Sequence, residues 1–280
     1  MEEFLMKPKV DFAFKEIMND HHALKSFLAA VLSLNPKDIK SVKIQNTDLR
    51  KVHAQDKQGI LDVNVLMNDD TEIDIEIQLA EIKIWPNRSV FYLAKKYVDQ
   101  IKEGDSYAVF KKCVSISILD FELFKGETEF YSCFHISEDS RRFLYTDKME
   151  FHVIELPKLP ELKEGCSSLL LWAKFISSEK KEDFEMLAEK DEGINSAYKR
   201  LRVISQDDDK RKDYEARMKA IRDYNQGLIE AEERGIEKGR EKGREEAFFD
   251  IARKMLSAGM DIKMIASMTN LSENQIQTLK

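Results

Sequence analysis

The sequence predicts an α/β N-terminal part followed by an all-helical C-terminal part. Before residue 160, several short segments alternate polar and apolar residues with a period of two, and they are interleaved with helical patterns. From residue 167 onward, the patterned segments have a helical period. The chain has 280 residues, of which 42% are hydrophobic and 35% charged, with ten Gly and five Pro. This composition is typical of a helix-rich globular protein of about two domains, and it excludes small disulfide-stapled and disordered chains.

The N-terminal part opens with two predicted helices and continues with predicted strands. The first helix begins at FAFKEIM with Asp11 as its cap, and the second, LKSFLAAVLSL, ends at the Asn35-Pro36 turn. Three strands follow in IKSVKIQNTDL, GILDVNVLM and TEIDIEIQL. After a helical pattern from Pro86 to about Gly104, CVSISILDF predicts a central strand because it is too apolar for a solvated face. Two further strands are predicted at 129–136 and 151–156.

A long charged helix dominates the C-terminal part. A polar break at residues 206–209 precedes a charged stretch from Arg211 to Ala247. Within it, Gly235, Gly239 and Gly243 recur every four residues and therefore share one helix face. This face fits a solvated linker helix as well as a surface for self-association.

The last thirty residues predict three short helical pieces. Their outline resembles a helix-turn-helix, with Met264 to Met268 as its first helix and Glu273 to Leu279 as its recognition helix. A compact protein-binding module fits equally well, because only Lys280 adds a positive charge at the recognition helix. We therefore divide the chain into parts at residues 1–160, 161–246 and 247–280.

Charge and cysteine content exclude several classes of protein. The net charge of −7 argues against a general nucleic-acid coat protein, but it leaves room for a local basic track or for metal ions that neutralise clustered carboxylates. Three widely spaced cysteines support neither a disulfide framework nor a zinc knuckle, and the five histidines show no ligand spacing. We expect a cytoplasmic protein without a secretory signal or a membrane span.

Acidic residues gather on one predicted hairpin. If the apolar residues of GILDVNVLM and TEIDIEIQL face one core, then Asp62, Asp74, Glu76 and Gln78 share the other face. This placement requires a connection of odd length, such as a three-residue turn at 68–70, or a bulge. Clustered carboxylates repel one another unless a cation such as Mg²⁺ neutralises them. In an arbitrary sequence, however, such residues more often line the solvated face of an amphipathic hairpin.

The next predicted helix carries a polar stripe. Arg88, Tyr92, Lys96 and Gln100 recur every four residues, and we expect them to face the carboxylates. Residues Val90, Ala94, Tyr97 and Ile101 are predicted to form the packing side. Such a stripe is suited to hold a phosphodiester, with Arg88 or Lys96 neutralising charge on the phosphate, although a solvated helix face has a similar pattern.

These motifs, in this order, resemble one known family. The segments are DFAFKEIM, ILD, IEIQ, RSxxYLxKxYxxQ and ILDF, and the likeness covers roughly residues 6–160. They resemble the Rpn family of recombination-promoting nucleases, also described as PD-(D/E)XK nuclease family transposases. The resemblance implies an α/β (α+β) restriction-endonuclease-like core, a mixed sheet flanked by helices that cuts DNA with a divalent metal, Mg²⁺ or also Mn²⁺. An all-helical C-terminal region follows this core.

The resemblance also assigns roles to residues. Asp62 matches the metal-binding aspartate, and Glu76 and Gln78 match the E-x-K pair, with glutamine where lysine is usual. Gln78 can orient a water but carries no charge. Lys96 or Lys95 is therefore expected to supply the positive charge that the usual lysine would provide. The implied mechanism is in-line attack of a metal-activated water on the phosphodiester. Four residues are expected to bind substrate: Arg88, Tyr92, Lys95 and Gln100.

Two acids of the first helix have alternative roles. Asp11 is explained as a helix cap or as a residue at the edge of the site, and Glu16 as an exposed helix position or an additional metal contact. The predicted function is that of a Mg²⁺-dependent deoxyribonuclease that forms a homodimer or other homo-oligomer through its C-terminal helices. The alternative is a catalytically silent scaffold, which the Gln78 substitution and the acidic net charge favour.

Overall fold

The computed structural model describes residues 3–45, 62–81 and 83–279. The chain divides into two compact units, Met1–Met218 and Lys219–Lys280. The predicted boundaries at residues 160 and 246 stay predictions. The described helices include none that is both long and apolar enough to cross a membrane.

A mixed sheet forms the centre of the first unit. Its order is β1-β2-β3-β4-β6-β5. The β1–β2 and β2–β3 pairs are antiparallel, the β3–β4 and β4–β6 pairs are parallel, and β5 is antiparallel to β6 at the edge. As predicted, the apolar strand β4 is central and buried throughout, because parallel neighbours flank it on both sides. The strands are β1 (Val42–Gln45), β2 (Val63–Met67), β3 (Glu72–Gln78), β4 (Cys113–Leu119), β5 (Tyr131–Ser137) and β6 (Leu144–Glu155).

Two predicted strands have different limits in the structure. The described part of IKSVKIQNTDL forms only β1, while its end and the residues Gly59 to Leu61 lie outside the described residues, as does His53. Strand β6 begins at Leu144, earlier than expected. Its first residues are largely exposed and pair with the end of β5, so that polar residues continue the ladder beyond the core.

Three helices of this part pack on the sheet, against β3, β1 and β4. Asp11 was predicted to cap α1, but it is the first residue of this helix, and Val10 occupies the cap position. In the first turn, the negative charge of Asp11 interacts favourably with the helix dipole. Asp20 caps the next helix by accepting hydrogen bonds from the backbone N–H groups of His22 and Ala23. The helices of this part are α1 (Asp11–Met18), α2 (His21–Leu32) and α3 (Trp85–Val98).

The C-terminal half is helical, as predicted. Helices α4 (Ser168–Ser177), α5 (Lys181–Ala188) and α6 (Glu192–Gln206) form a layer in which α6 packs on α1 and α2. Only Asp207 separates α6 from the long helix α7 (Asp208–Ser257), so the predicted polar break is shorter than expected. Apart from the adjacent residues and the nearby backbone of α7 itself, no described atom would lie within 4 Å of a methyl group added at Gly235, Gly239 or Gly243. Self-association there stays a prediction.

The second unit ends in a small helical core. The end of α7 packs with α8 (Ile262–Thr269) and α9 (Glu273–Gln277) around Ala252, Ile265, Leu271 and Ile276. As predicted, the chain breaks at Gly259, and Ser272 caps α9, where it forms a capping box with Gln275. This arrangement agrees with the predicted helix-turn-helix outline; Lys280 lies outside the described residues.

Candidate active site

The β2–β3 hairpin brings the predicted acidic residues together. Asn64 pairs with Asp74, and the Met67 N–H donates to the Thr71 carbonyl at 2.9 Å, which closes a three-residue turn at 68–70. The predicted odd connection is confirmed, with Asp70 in the left-handed region at φ 62°. Asp62 Oδ2 accepts a hydrogen bond from the Ile77 N–H at 2.9 Å, which places this carboxylate beside Glu76. We call the sheet face of Asn64, Asp74 and Glu76 the carboxylate face.

The carboxylate face is buried, not solvated. Asp74 is 1% exposed and Glu76 is 4% exposed, so the solvated-hairpin interpretation is wrong. Within the described part of the chain, neither carboxylate oxygen of Asp74 accepts a hydrogen bond, and Glu76 Oε1 accepts none. Burial raises the pKa of both side chains, and repulsion from Asp74 and Asp62 raises the pKa of Glu76 further. The face therefore carries acceptors that no group of the described residues uses.

Helix α3 lies over this face with its polar stripe inward. The predicted direction of the stripe is confirmed, but the predicted packing side is wrong, since Val90 is 52% exposed whereas Tyr92, Leu93 and Lys96 are buried. Tyr92 and Lys96 are buried, whereas Arg88 and Gln100 are half-buried, and the charged ends of Arg88 and Lys96 reach Glu76 and Asn64 on the sheet. Tyr97, which was predicted on the packing side, stacks on Phe110, with ring centroids 4.2 Å apart.

Among the described residues, Arg88 is the cation that pairs with Glu76. Its Nη2 lies 3.4 Å from Glu76 Oε2, and its guanidinium lies over the rings of Trp85 and Tyr92 at 5.4 and 5.1 Å. The buried Nε of Arg88 donates to no acceptor in the described ranges. Aromatic contacts hold the guanidinium in place, so an unused donor and an unused carboxylate oxygen lie in the same pocket of the fold.

Lys96 and Gln100 engage the other end of the carboxylate face. Lys96 Nζ donates to Asn64 Oδ1 and lies 3.9 Å from Glu72 Oε2, and its charge lowers the pKa of Asp74. Burial lowers the pKa of Lys96. Gln100 donates to Cys113 Sγ at 3.0 Å and accepts from the Lys111 N–H at 2.8 Å, which ties down the chain before β4.

The remaining predicted residues lie around this centre. Gln78 is half-buried at the end of β3, where its amide donates to the Ala80 carbonyl at 3.2 Å. Lys95 is half-buried and makes no ion pair with any described residue. Glu16 is half-buried and pairs with Arg200 at 2.8 Å and with Lys210, so the exposed-position interpretation is wrong, and its metal contact stays a prediction.

Two charged residues of the site were not among the predicted site residues. Asp74 was expected on the acidic face but was assigned no role. Burial raises the pKa of Asp62 and of Glu76, and the positive charge of Lys15 on α1 partly opposes that rise; Lys15 has no ion pair among the described residues. Asp11 raises the pKa of Asp62 and pairs with Arg217 at 2.8 Å, so it does lie near the edge of the site. Lys15 lies inside the DFAFKEIM motif, in which only the two acids were predicted to have a role at the site.

The unused oxygens fit a hard divalent cation. Mg²⁺ binds through one or two carboxylates and keeps several waters, and Asp62 and Glu76 provide such a pair. The ligand atoms of Asp62, Asp74 and Glu76 do not all lie within 4.8 Å of one another, as they would around an ion held by protein ligands alone. In the described ranges, a group that is this compact is formed by Cys133, Glu150 and His152, elsewhere on the sheet. The carboxylate face thus fits a water-rich ion rather than an all-protein cage.

The small helical core at the end of the chain exposes amide side chains. On α9, Asn274, Gln275 and Gln277 are exposed, while Ile276 is buried in the core. The exposed surface of this helix is polar rather than strongly basic, which agrees with the expectation from the sequence.

The family comparisons match both parts of the chain. The family model described as PD-(D/E)XK nuclease family transposase matches residues 8–231. The model described as Rpn/YhgA-like nuclease family, C-terminal HTH domain, matches residues 245–280. No curated protein and no solved structure matches the chain.

Proposed function

Because the chain belongs to the PD-(D/E)XK nuclease family transposases, we propose that it hydrolyses DNA phosphodiester bonds with a divalent metal ion, Mg²⁺ or Mn²⁺. The observation that carries the proposal is the set of buried, unused carboxylate oxygens on β3 beneath the Arg88 guanidinium. A protein rarely leaves several buried acceptors unsatisfied without a functional reason. A metal ion and a phosphate together would satisfy the acceptors and the unused Arg88 donor.

Each residue has a role in this mechanism. Asp62 and Glu76 would hold the ion, which when bound polarises the phosphate and lowers the pKa of a bound water. Gln78 orients the attacking water through its side-chain oxygen, since its amide group already donates to Ala80. Arg88, held between Trp85 and Tyr92, neutralises charge on the phosphate.

The positive charge that Gln78 lacks comes from Lys15 in this proposal. Lys15 acts electrostatically on both metal-ligand carboxylates and has no competing ion pair among the described residues. Lys96, the first candidate from the sequence, is already engaged by Asn64 and Glu72 and acts mainly on Asp74. Lys95 remains a candidate for contact with the DNA backbone. Gln100 supports the fold before β4 rather than the substrate.

The C-terminal helix-turn-helix would hold the DNA. Asn and Gln side chains pair with adenine in the major groove, and α9 exposes Asn274 and Gln277 for such contacts. Its low positive charge points to modest affinity that depends on the first unit and on a second copy of the chain. We therefore retain a homo-oligomer formed by the C-terminal helices, a cytoplasmic location and a role in recombination or a mobile element as parts of the proposal.

One observation favours a second candidate function. Gln78 replaces the usual lysine, and part of its hydrogen-bonding capacity is used on the Ala80 carbonyl. A chain that has lost catalysis would keep the fold as a DNA- or protein-binding scaffold. Its carboxylate face would then bind divalent metal weakly or not at all.

Plasmid cleavage separates the two functions. Purified full-length protein is incubated with supercoiled plasmid and Mg²⁺, Mn²⁺ or EDTA, alongside Asp62→Ala and Glu76→Ala. Glu81→Ala, an exposed acid just beyond β3, is the matched control. We expect metal-dependent nicking that both site variants abolish and the control retains, with metal binding measured by calorimetry lost in parallel. If no metal supports cutting, or if the site variants cut as fast as the control, the scaffold function replaces the nuclease.

A further inference from the structure

Four side chains that commonly ligate metals meet on the opposite side of the sheet. The β5–β6 register pairs Cys133 with His152 and His135 with Glu150. Because directly paired residues point to the same face, these side chains form a square across two strands. We call this the histidine face. Glu150 and His152 are in register with Val114 and Ile116 of β4. Asp74 and Glu76 are in register with the alternate residues Ser115 and Ser117, so the histidine face is opposite to the carboxylate face.

The ligand atoms of three of these residues lie close together. Cys133 Sγ, one Glu150 oxygen and one His152 nitrogen all lie within 4.8 Å of one another. His152 Nε2 lies 2.7 Å from Glu150 Oε1, and Cys133 Sγ lies 3.9 Å from the same oxygen. His135 lies beside them, with Nε2 3.3 Å from Glu150 Oε2 and Nδ1 3.9 Å from Cys133 Sγ.

We propose that Cys133, Glu150 and His152 bind Zn²⁺, with His135 or a water as the fourth ligand. Thiolate, imidazole and carboxylate are the ligands that Zn²⁺ prefers, whereas the carboxylate face offers oxygen alone. Bond lengths of about 2.0 to 2.3 Å around tetrahedral zinc require ligand atoms roughly 3.3 to 3.8 Å apart. The Cys133–Glu150 separation is close to this range, and the shorter His152–Glu150 contact is bridged by a proton that the ion would replace.

A neighbouring tyrosine orients His152 for this role. Tyr131 Oη lies 2.7 Å from His152 Nδ1, and the Tyr131 hydroxyl donates to the Val31 carbonyl of α2 at 3.3 Å. In the metal-free protein the His152 proton lies on Nε2, toward Glu150. When the ion displaces that proton, Nδ1–H can donate to the tyrosine oxygen, because the tyrosine's own proton is directed to Val31. That tautomer leaves Nε2 free to bind the ion, which is the usual arrangement around a zinc-bound histidine.

Access and charge are compatible with an ion at this position. Cys133 is exposed on the edge strand, so the site is reached from solvent. Lys112 pairs with Glu150 Oε2, not with the Oε1 that faces Cys133 and His152, and its side chain is 35% exposed. The ammonium can therefore remain on Oε2 or turn to solvent when Oε1 binds the ion.

Cobalt substitution tests the site without reference to nuclease activity. Chelator-treated full-length protein is titrated with Co²⁺, and the near-ultraviolet charge-transfer band of a cobalt thiolate is recorded, followed by competition with Zn²⁺. We expect a stoichiometric band that Zn²⁺ removes and that Cys133→Ser abolishes. The matched variant Cys166→Ser, a half-buried cysteine in another segment, should keep the band.

Two further variants separate this site from the carboxylate face and from a folding defect. Asp62→Ala combined with Glu76→Ala should leave the band unchanged, because those ligands are oxygens on the other face. Tyr131→Phe keeps the ring but not the hydroxyl, and we expect it to weaken Zn²⁺ binding by about tenfold. Absence of a thiolate band in the folded protein, or a band that survives Cys133→Ser, would overturn the proposal.

Discussion

Both faces of the sheet bury carboxylates, but the pKa of the buried acids is shifted in opposite directions on the two faces. On the carboxylate face, burial raises the pKa of Asp74 and of Glu76, since few protein groups donate to them. On the histidine face, hydrogen bonds from His152 and Lys112 lower the pKa of Glu150 to about 2, although its side chain is only 9% exposed. Partners, rather than depth in the sheet, therefore decide which acid is stably charged.

The contrast has a functional meaning. Glu150 is stabilised by the protein itself, so its charge needs no added ion for folding. Among the described residues, the acids of the carboxylate face have fewer such partners: Asp74 accepts no hydrogen bond, and Glu76 pairs with Arg88 alone. A proton or a cation from solution would relieve their repulsion. A face that destabilises the metal-free fold in this way is what a catalytic metal site requires.

The substitution with the largest expected effect tests whether catalysis at the carboxylate face depends on a positive charge from outside β2 and β3. Lys15→Gln removes the positive charge that acts on Asp62 and Glu76 while leaving both ligands in place. We expect plasmid cleavage to slow by about 10²- to 10³-fold, the usual loss when one electrostatic group of a catalytic site is removed. Single-turnover rates at saturating Mn²⁺ measure the slowing. We expect the metal affinity of the variant to stay within a few-fold of that of the unmodified chain.

A second substitution separates a catalytic from a structural effect of Lys15. Gln78→Lys in the Lys15→Gln background restores a lysine at the position usual in the superfamily, and we expect it to recover part of the rate. Lys37→Gln, an exposed lysine after α2, is the control for net charge. Cleavage that is unaffected by Lys15→Gln would assign the missing charge to another residue.

The next effect tests the histidine face. Glu150→Gln leaves His152 and Lys112 without their shared carboxylate, and we expect the metal-free protein to lose about 2 to 3 kcal/mol of unfolding free energy. Urea denaturation in EDTA measures the loss. Glu129→Gln, an exposed acid before β5, should change stability by less than about 0.5 kcal/mol. Equal stability of the two variants would show that the network contributes nothing.

Much of the carboxylate face was predictable from local pattern. The alternation around Asp62 and Glu76 fixes which side chains share a face, and the parity of the hairpin requires the odd turn that the structure contains. The four-residue recurrence of Arg88 and Lys96 predicts a stripe. The pattern does not show that the stripe is buried, because this depends on α3 packing over the acids rather than away from them.

The remaining features depend on tertiary register. Lys15 acts on the site through its charge, from a helix that no periodicity relates to β2 or β3. The spacing rules that excluded zinc examined histidines and cysteines along the chain, whereas Cys133 and His152 become neighbours only through the pairing of β5 with β6. Glu150 joins them for the same reason. Sequence spacing detects ligands within one element and misses ligands that two strands contribute.

The smallest expected effect concerns the cost of leaving Asp74 unpaired. Asp74→Asn keeps the shape and removes the charge, and we expect the metal-free protein to gain about 1 to 2 kcal/mol, a few degrees in Tm. The pKa of Asp74 is raised in the folded state, so the folded state holds its proton longer and stability falls as pH rises from about 4 toward 7. The gain should therefore be absent near pH 4 and complete above pH 7. Thermal unfolding in EDTA across this range measures it, and a destabilised Asp74→Asn variant at pH 8 would show that this carboxylate is paired within the protein and that the two faces are alike.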